Sequence, residues 1–299
     1  MGMRIRKNKR TLLVVGVFFL AFLPFFSKNT PKIEREEAIP AVFAESKPVK
    51  MEKDNPFHWE KMTSYTTYFN QKDRGRCENI TIAASFIDGI TIQPYGEFSF
   101  NQTVGERTKE AGFQNAKIIV NGEYVEGVGG GVCQVSTTLY NAALKAGLHV
   151  SEYHPHSLRV GYVAPSRDAM VSSHNDLRFI NPHPFPIYLS AKTFDGGIKV
   201  SFFGKDQGIR YEIVSKILEE IEPPPDIVKE GEEEQVLRNA QKGVRSEMYL
   251  ECYRGKQLLS KKRIREDEYR PIQGIIVKKI VNATNKMCSN DCVFFGKML

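Results

Sequence analysis

The sequence predicts an α+β fold of mostly antiparallel sheet, with a small all-β module at its C-terminal end. Three observations predict it: repeated hairpin signals, one helical pattern that follows a glycine-rich turn, and a composition break after residue 218. The predicted segments are a membrane anchor or signal segment, a spacer, the main domain, the β module and a cysteine-containing tail, at residues 1–28, 29–56, 57–212, 213–282 and 283–299.

The first 28 residues have the composition of a targeting segment. Basic residues lead into an apolar run of 16 residues at 11–26, a length between a signal-peptide core and a short membrane span. We expect a single-pass anchor with the rest of the chain on the extracytoplasmic side, because the basic flank stays in the cytoplasm. A secreted protein is the alternative. Residues 29–56 are polar and contain several prolines, which predicts a spacer.

The formal net charge of +7 comes from this targeting segment. Six of the 42 basic residues fall within the first 28 positions, which leaves 36 basic against 35 acidic residues in the rest of the chain. A nearly neutral folded part lacks the basic surface of a nucleic-acid-binding protein. We therefore exclude a nucleic-acid partner.

Local patterns predict the remaining elements in order. Residues 64–69 are rich in β-formers, residues 79–88 predict a helix capped by Asn79, and residues 98–100 follow a turn. An Asn-Gly pair at position 121 is a strong hairpin signal. Three hairpins are predicted, and their strand pairs are residues 117–120 with 123–125, 187–192 with 198–203, and 248–253 with 258–264.

A glycine-rich turn at residues 127–131 leads directly to Cys133 and a helical pattern that ends at Gly147. Unpaired N–H groups in the first helical turn favour the thiolate, which makes this cysteine a candidate nucleophile. Backbone N–H groups near the sulfur can hold an oxyanion. The predicted oxyanion or substrate-binding residues are Gly130, Gly131, Gln134 and Ser136. A small buried cysteine that fills a core helix is the alternative.

A thiolate nucleophile usually needs an imidazole partner, and we assign His156 to this role because a return strand after the helix brings it toward Cys133. Asp168 and Asp176 are both candidates to orient the ring, and the sequence does not choose between them. We include Asp176 in the predicted site. His154 and His156 project to the same side of an extended segment, so a metal site with Cys133 is the alternative. We predict no metal and no cofactor.

The chain has five cysteines, an odd number that leaves at least one thiol free. Cys288 and Cys292 are four residues apart in the tail. One alternative is a disulfide between them; the other is two free thiols, because a disulfide that closes so short a loop is often strained.

Residues 65–204 resemble a VanW domain through sequence blocks that occur in the family's order. The blocks are Phe98-Ser99-Phe100-Asn101, Val104-Gly105, residues 129–141, Pro155-His156-Ser157, Arg167-Asp168-Ala169 and residues 176–181. Two positions depart from the family pattern: Tyr95 interrupts a Pro-Gly pair, and Ser166 stands where a glycine commonly occurs. Residues 230–280 are similar to the small β module called the G-five domain, through Gly231, Gly243, Gly255 and Gly274.

The VanW resemblance implies work on the bacterial cell wall, since VanW proteins are associated with vancomycin resistance clusters. Some VanW domains have been linked to L,D-transpeptidase activity with this cysteine as the nucleophile. We therefore expect an extracytoplasmic cysteine acyltransferase that acts on peptidoglycan stem peptides through a thioester on Cys133. A non-catalytic wall-binding or scaffold protein associated with glycopeptide resistance is the alternative.

Overall fold

The computed structural model of the chain describes residues 49–50, 59–120 and 122–279. The predicted apolar segment at residues 11–26 lies outside the described residues, as do most of the spacer and the tail with Cys288 and Cys292. Within the described ranges, no helix has the length and apolarity that a membrane crossing requires. All of the described residues belong to one compact unit.

Short helices and many strands make up this unit. The helices are α1 (Arg74–Ile87), α2 (Phe100–Val104) and α3 (Val132–Lys145). The strands are β1 (Val49–Lys50), β2 (Glu60–Tyr68), β3 (Ile90–Ile92), β4 (Glu97–Ser99), β5 (Asn115–Val120), β6 (Glu123–Val128), β7 (His149–Glu152), β8 (Arg178–Ile180), β9 (Ile187–Phe194), β10 (Gly197–Gly204), β11 (Ile209–Ile221), β12 (Ile227–Gly231), β13 (Gln235–Arg238), β14 (Gly243–Arg254), β15 (Gln257–Tyr269) and β16 (Ile275–Lys279).

The main core lies between a five-stranded antiparallel sheet and two helices. The strand order in this sheet is β1-β3-β9-β10-β2. Helix α3 packs against β2 and β10, while α1 packs against β9 and α3. Fully buried apolar side chains fill the space between them, among them Ile80, Leu139, Leu189 and Phe202. Burying each such side chain contributes about 1.5 to 3 kcal/mol, so the core holds α3 firmly against the sheet.

Smaller sheets surround this core. Strands β4, β8 and β7 form one sheet, and β5 pairs with β6 in a two-stranded ribbon. In the C-terminal part, β11-β14-β15 form a long sheet, and β12-β16-β13 form another in which β12 and β16 are parallel. Strand β11 runs across the predicted boundary between residues 212 and 213. The other strand pairs are antiparallel among the described residues, so the predicted mostly antiparallel sheet is confirmed.

The three predicted hairpins are confirmed. They correspond to the pairs β5–β6, β9–β10 and β14–β15. Gly196 and Gly255 take φ values of +74° and +58° in the turns of the second and third hairpins, a conformation that glycine adopts without steric cost. The turn residues therefore set the register of the paired strands.

The first helix starts earlier than predicted, so the assignment of Asn79 as its cap is wrong. Asp73 caps α1, because its side chain accepts a hydrogen bond from the backbone N–H of Arg76. Asn79 is instead fully buried in the second turn. Its amide Nδ2 donates to the carbonyl oxygens of Gln114 and Gly130, each at 2.9 Å. The side chain therefore fastens the glycine turn to α1.

Candidate active site

The glycine turn before α3 has a backbone that other residues do not accommodate. Gly129 and Gly131 have φ values of +85° and +108°. A Cβ atom on Gly130 would lie 2.7 Å from the carbonyl oxygen of Lys117 in β5, which is closer than real Cβ contacts. The hydrogen bond from Asn79 to Gly130 fixes the same turn. The glycines therefore allow the turn to lie directly against β5 and to aim the start of α3.

Cys133 is the second residue of α3 and is half-buried. Its Sγ lies 3.4 Å from the carbonyl oxygen of Val171, and His156 lines the same groove as the sulfur. Burial alone would raise the pKa of the thiol. The hydrogen bond and charge of His156, a backbone hydrogen bond with Val171 and the charge of Arg107 outweigh burial and hold that pKa below its ordinary value. The geometry therefore favours a thiolate.

His156 and Asp168 form a buried pair beside the sulfur. The Nδ1 atom of His156 lies 2.7 Å from Oδ2 of Asp168, and the backbone N–H of His156 donates to the same oxygen at 2.7 Å. Burial by itself lowers the pKa of His156, but the hydrogen bonds and charges of Asp168 and Cys133 raise it to about 9. Burial would raise the pKa of Asp168, and His156 together with Arg265 brings it below its ordinary value. These shifts favour a thiolate at Cys133, an imidazolium at His156 and a carboxylate at Asp168.

The structure brings Asp168, and not Asp176, to the imidazole, which corrects the aspartate included in the predicted site. The carboxylate of Asp176 accepts hydrogen bonds from the hydroxyl of Ser99 at 2.5 Å and from the backbone N–H of Asn101 at 2.8 Å. It also lies 3.6 Å from the guanidinium of Arg178. Asp176 is therefore engaged in holding the start of α2.

Two of the predicted substrate-binding residues have structural contacts instead. The amide of Gln134 accepts from Arg76 at 2.7 Å and donates to the carbonyl of Tyr68 at 2.9 Å, while its backbone N–H donates to Gly131 at 2.9 Å. The hydroxyl of Ser136 is fully buried and donates to the carbonyl of Ala169 at 2.6 Å. Ser136 does not line the groove, whereas Gln134 lines it together with Arg76, which it holds.

The predicted glycines do lie at the site. Gly130 and Gly131 line the groove beside Cys133. Within the part of the chain that the structure describes, the backbone N–H groups of Gly131 and Cys133 have no hydrogen-bond acceptor. These two N–H groups are available for an oxyanion at the start of α3, where the helix dipole also favours negative charge.

Sequence reasoning missed the contribution of the C-terminal strand β15 to the site. The hydroxyl of Tyr269 donates to Oδ1 of Asp168 and accepts from the backbone N–H of Ser166 at 2.8 Å. Arg265 donates to the carbonyl of Asp168 at 2.7 Å and pairs with Asp267 at 2.6 Å. The only available sequence signal was the departure at Ser166, which takes a φ of +61° in the loop that carries the aspartate.

An open groove of about 880 Å³ leads to the sulfur. Its walls include residues of the β5–β6 ribbon, the segment 160–162 and the segment 170–173. Its volume lies within the range of pockets that hold drug-sized ligands. His154 does not line the groove, and its Nε2 lies 3.0 Å from a carboxylate oxygen of Glu152. The described residues contain no group of three or more histidine, cysteine, aspartate or glutamate side chains that could hold a metal.

Comparison with known proteins finds similarity over part of the chain. Residues 75–203 match the family model described as VanW like protein. The chain is 44% identical over 148 residues to the uncharacterized protein YoaR of Bacillus subtilis (strain 168), which covers 49% of this chain and 49% of that protein. The chain therefore spans about half the length of this curated relative.

Two solved structures are also similar, "IgA1 Protease G5 domain structure" and "Crystal structure of HP0197-G5". Their identities are 16% and 11%, they cover 24% and 23% of this chain and 87% and 93% of their own chains, and the TM-scores are 0.17 and 0.15. The family match at residues 75–203 contains Cys133, His156 and Asp168. Residues 75–203 of the chain are therefore similar to a VanW domain, and this part holds the candidate site.

Proposed function

We propose that this chain is a cysteine acyltransferase of the L,D-transpeptidase type, which acts on peptidoglycan stem peptides outside the cytoplasm. The observation that carries the proposal is the series Cys133, His156 and Asp168 at an open groove. The expected membrane segment at residues 11–26 supports an extracytoplasmic location. The family resemblance supports a substrate from the cell wall.

In the first half of the reaction, the Cys133 thiolate attacks the carbonyl carbon of the third residue of a stem peptide. The resulting oxyanion accepts hydrogen bonds from the free N–H groups of Gly131 and Cys133, and one such donor contributes about 3 to 4 kcal/mol in known enzymes. The imidazolium of His156 gives its proton to the departing amine as the C–N bond breaks. A terminal D-alanine leaves, and the acyl group remains on sulfur as a thioester.

In the second half, the amine of a neighbouring stem attacks the thioester carbonyl. His156, now neutral, takes the proton of this amine, the C–S bond breaks and the thiolate returns. Asp168 keeps Nδ1 of His156 bonded throughout, so Nε2 is the nitrogen that moves the proton at the sulfur side. Water in place of the amine would give carboxypeptidase trimming by the same steps.

The test is intact mass spectrometry of the full chain after exposure to a carbapenem, an acylating analogue of the donor. We expect one covalent addition, located on Cys133 by peptide mapping and absent from Cys133→Ala. Cys77→Ala is the matched control, because Cys77 is also free and half-buried, and burial with the Asp73 charge raises the pKa of its thiol. The control should keep the addition on Cys133.

A second assay follows the crosslinked product made from stem tetrapeptides. Cys133→Ala should abolish the product while the circular dichroism spectrum stays unchanged. If the alanine variant still forms crosslinks, or if no addition occurs on Cys133 in the folded wild type, the transferase proposal fails. The wall-binding scaffold then becomes the better account of this chain.

A further inference from the structure

Two arginines lie against opposite ends of the glycine turn that precedes Cys133. A Cβ atom on Gly131 would lie 3.0 Å from Cγ of Arg76, and a Cβ atom on Gly129 would lie 3.1 Å from Cβ of Arg107. Both side chains line the groove together with the sulfur. The absence of side chains on the turn therefore lets the aliphatic stems of two groove-lining arginines pack against it.

Neither arginine has a carboxylate partner within ion-pair distance among the described residues. Arg76 donates to the neutral amide of Gln134 at 2.7 Å, and its guanidinium stacks over the ring of Tyr162 at 5.8 Å. A guanidinium carries five N–H donors, so most donors of Arg76 meet no acceptor among the residues that the structure describes. The amide of Gln134 orients this cation but does not neutralise it.

Neutral oxygen atoms also hold Arg107. It donates to the amide oxygen of Asn101 at 2.5 Å and to the carbonyl of Ser172 at 3.5 Å, and burial lowers its pKa. The charge of the Cys133 thiolate acts on Arg107, and so does the charge of Asp176, although that carboxylate is already bonded elsewhere. Neither group forms an ion pair at contact distance with Arg107, so this partly buried cation can still pair with an arriving anion.

The remaining charges that line the groove do not cancel the two arginines. Lys117 adds a third positive charge, exposed Glu106 supplies one negative charge, and the Cys133 thiolate and the His156 imidazolium offset each other. If the arginines served only to support the turn, neutral side chains of similar length would do so without burying charge. The charge balance instead fits a ligand that brings its own carboxylate.

We infer that Arg76 and Arg107 form a subsite for the free α-carboxylate of the amino acid that leaves the acyl donor. This inference rests on the proposed acyl transfer. In such a donor, the carboxyl carbon lies about 2.5 Å from the leaving nitrogen, two bonds away, so it stays close to the sulfur during attack. The subsite therefore restricts Cys133 to the terminal peptide bond of a stem and excludes bonds inside a longer peptide.

The test compares binding of three probes to the full chain carrying Cys133→Ala, so that no reaction interferes. The probes are the stem tetrapeptide with a free C-terminus, its C-terminal amide, and a tetrapeptide amidated only on a side-chain carboxylate. We expect the C-terminal amide to bind about ten- to a hundredfold more weakly than the free acid, since a hydrogen-bonded charge pair is lost. The side-chain amide should bind like the free acid.

Arg76→Gln and Arg107→Gln, made in the same background, should each reduce the preference for the acid over the amide. Arg254→Gln is the control, because Arg254 is exposed at the far end of β14. Equal binding of acid and C-terminal amide overturns the inference, as does a loss that occurs only with the side-chain amide. The comparison of the acid with the C-terminal amide uses Cys133→Ala alone, so its result does not depend on whether an arginine variant folds. If Cys133→Ala prefers the acid but the wild-type chain forms no thioester, the subsite is supported and the transferase proposal is refuted.

Discussion

Asp168→Asn should slow the reaction of Cys133 with iodoacetamide near neutral pH. The hydrogen bond between His156 and Asp168 is 2.7 Å long and joins side chains that are only 6% and 1% exposed. A buried charge-assisted hydrogen bond contributes about 1.5 to 3 kcal/mol. Without it, the pKa of His156 falls and the pKa of the Cys133 thiol rises. The thiolate population should therefore drop about ten- to a hundredfold, and the alkylation rate with it.

The assay follows alkylation of the peptide that contains Cys133 by mass spectrometry across a pH series. Asp176→Asn is the matched control, since it removes a buried carboxylate whose hydrogen bonds go to Ser99 and Asn101. The control should shift the free energy of unfolding but not the pH midpoint of alkylation. If Asp168→Asn alkylates at the wild-type rate, or if Asp176→Asn slows it equally, the assignment of Asp168 to the relay is refuted.

Three further predictions follow from the site. Acyl transfer should decline above about pH 9, because His156 loses the proton that the leaving amine needs as pH rises through its pKa, whereas alkylation of the thiolate should not decline. Gly130→Ala should lower the free energy of unfolding in urea by about 1 to 3 kcal/mol through its clash with β5, and Gly161→Ala, with open space around it, should not. Tyr269→Phe should lower it by about 1 to 3 kcal/mol and also slow acylation, while Tyr253→Phe, which loses a partly buried bond to Glu251, should lower it by about 0.5 to 1.5 kcal/mol and leave acylation unchanged.

Each of these has a clear contrary result. A parallel decline of alkylation and acyl transfer at high pH would show loss of the fold and not loss of the acid. Equal stability of Gly130→Ala and Gly161→Ala would contradict the close approach of the turn to β5. Normal acylation by Tyr269→Phe would mean that the aspartate keeps its position without the tyrosine.

The hairpins were predictable because their information is local. The turn residues Asp195-Gly196-Gly197 mark the end of β9 and the start of β10 from residue type alone. The φ of +74° at Gly196 agrees with this turn. The start of α1 was not predicted correctly, since Asp73 and Asn79 are both residue types that cap helices. Tertiary contacts decide between them: Asn79 is drawn into the core by the carbonyl groups of Gln114 and Gly130.

The candidate site likewise contains residues that the sequence predicts and one that it does not. Cys133 and His156 could be proposed from residue type and order, because a glycine turn before a helix and a later imidazole belong to a recognisable chemistry. The choice of aspartate could not be made, since Asp168 and Asp176 both lie on the segment that follows His156. The position of each carboxylate depends on partners far away in sequence: Ser99 for one, and Tyr269 for the other.

The departure at Ser166 shows why the C-terminal strands belong to the site. A non-glycine residue at a φ of +61° costs about 1 to 2 kcal/mol, so another contact must hold the loop in this conformation. The hydroxyl of Ser166 lies 2.8 Å from that of Ser246 in β14, and its N–H donates to the hydroxyl of Tyr269 at the end of β15. The same tyrosine donates to Asp168, two residues further along the loop. A glycine would fit the loop more easily, but it would give up the hydroxyl contact with β14. The strain at Ser166 and the position of the relay aspartate are therefore maintained by one network, in which strands outside the matched VanW domain hold a residue that acts on the cysteine.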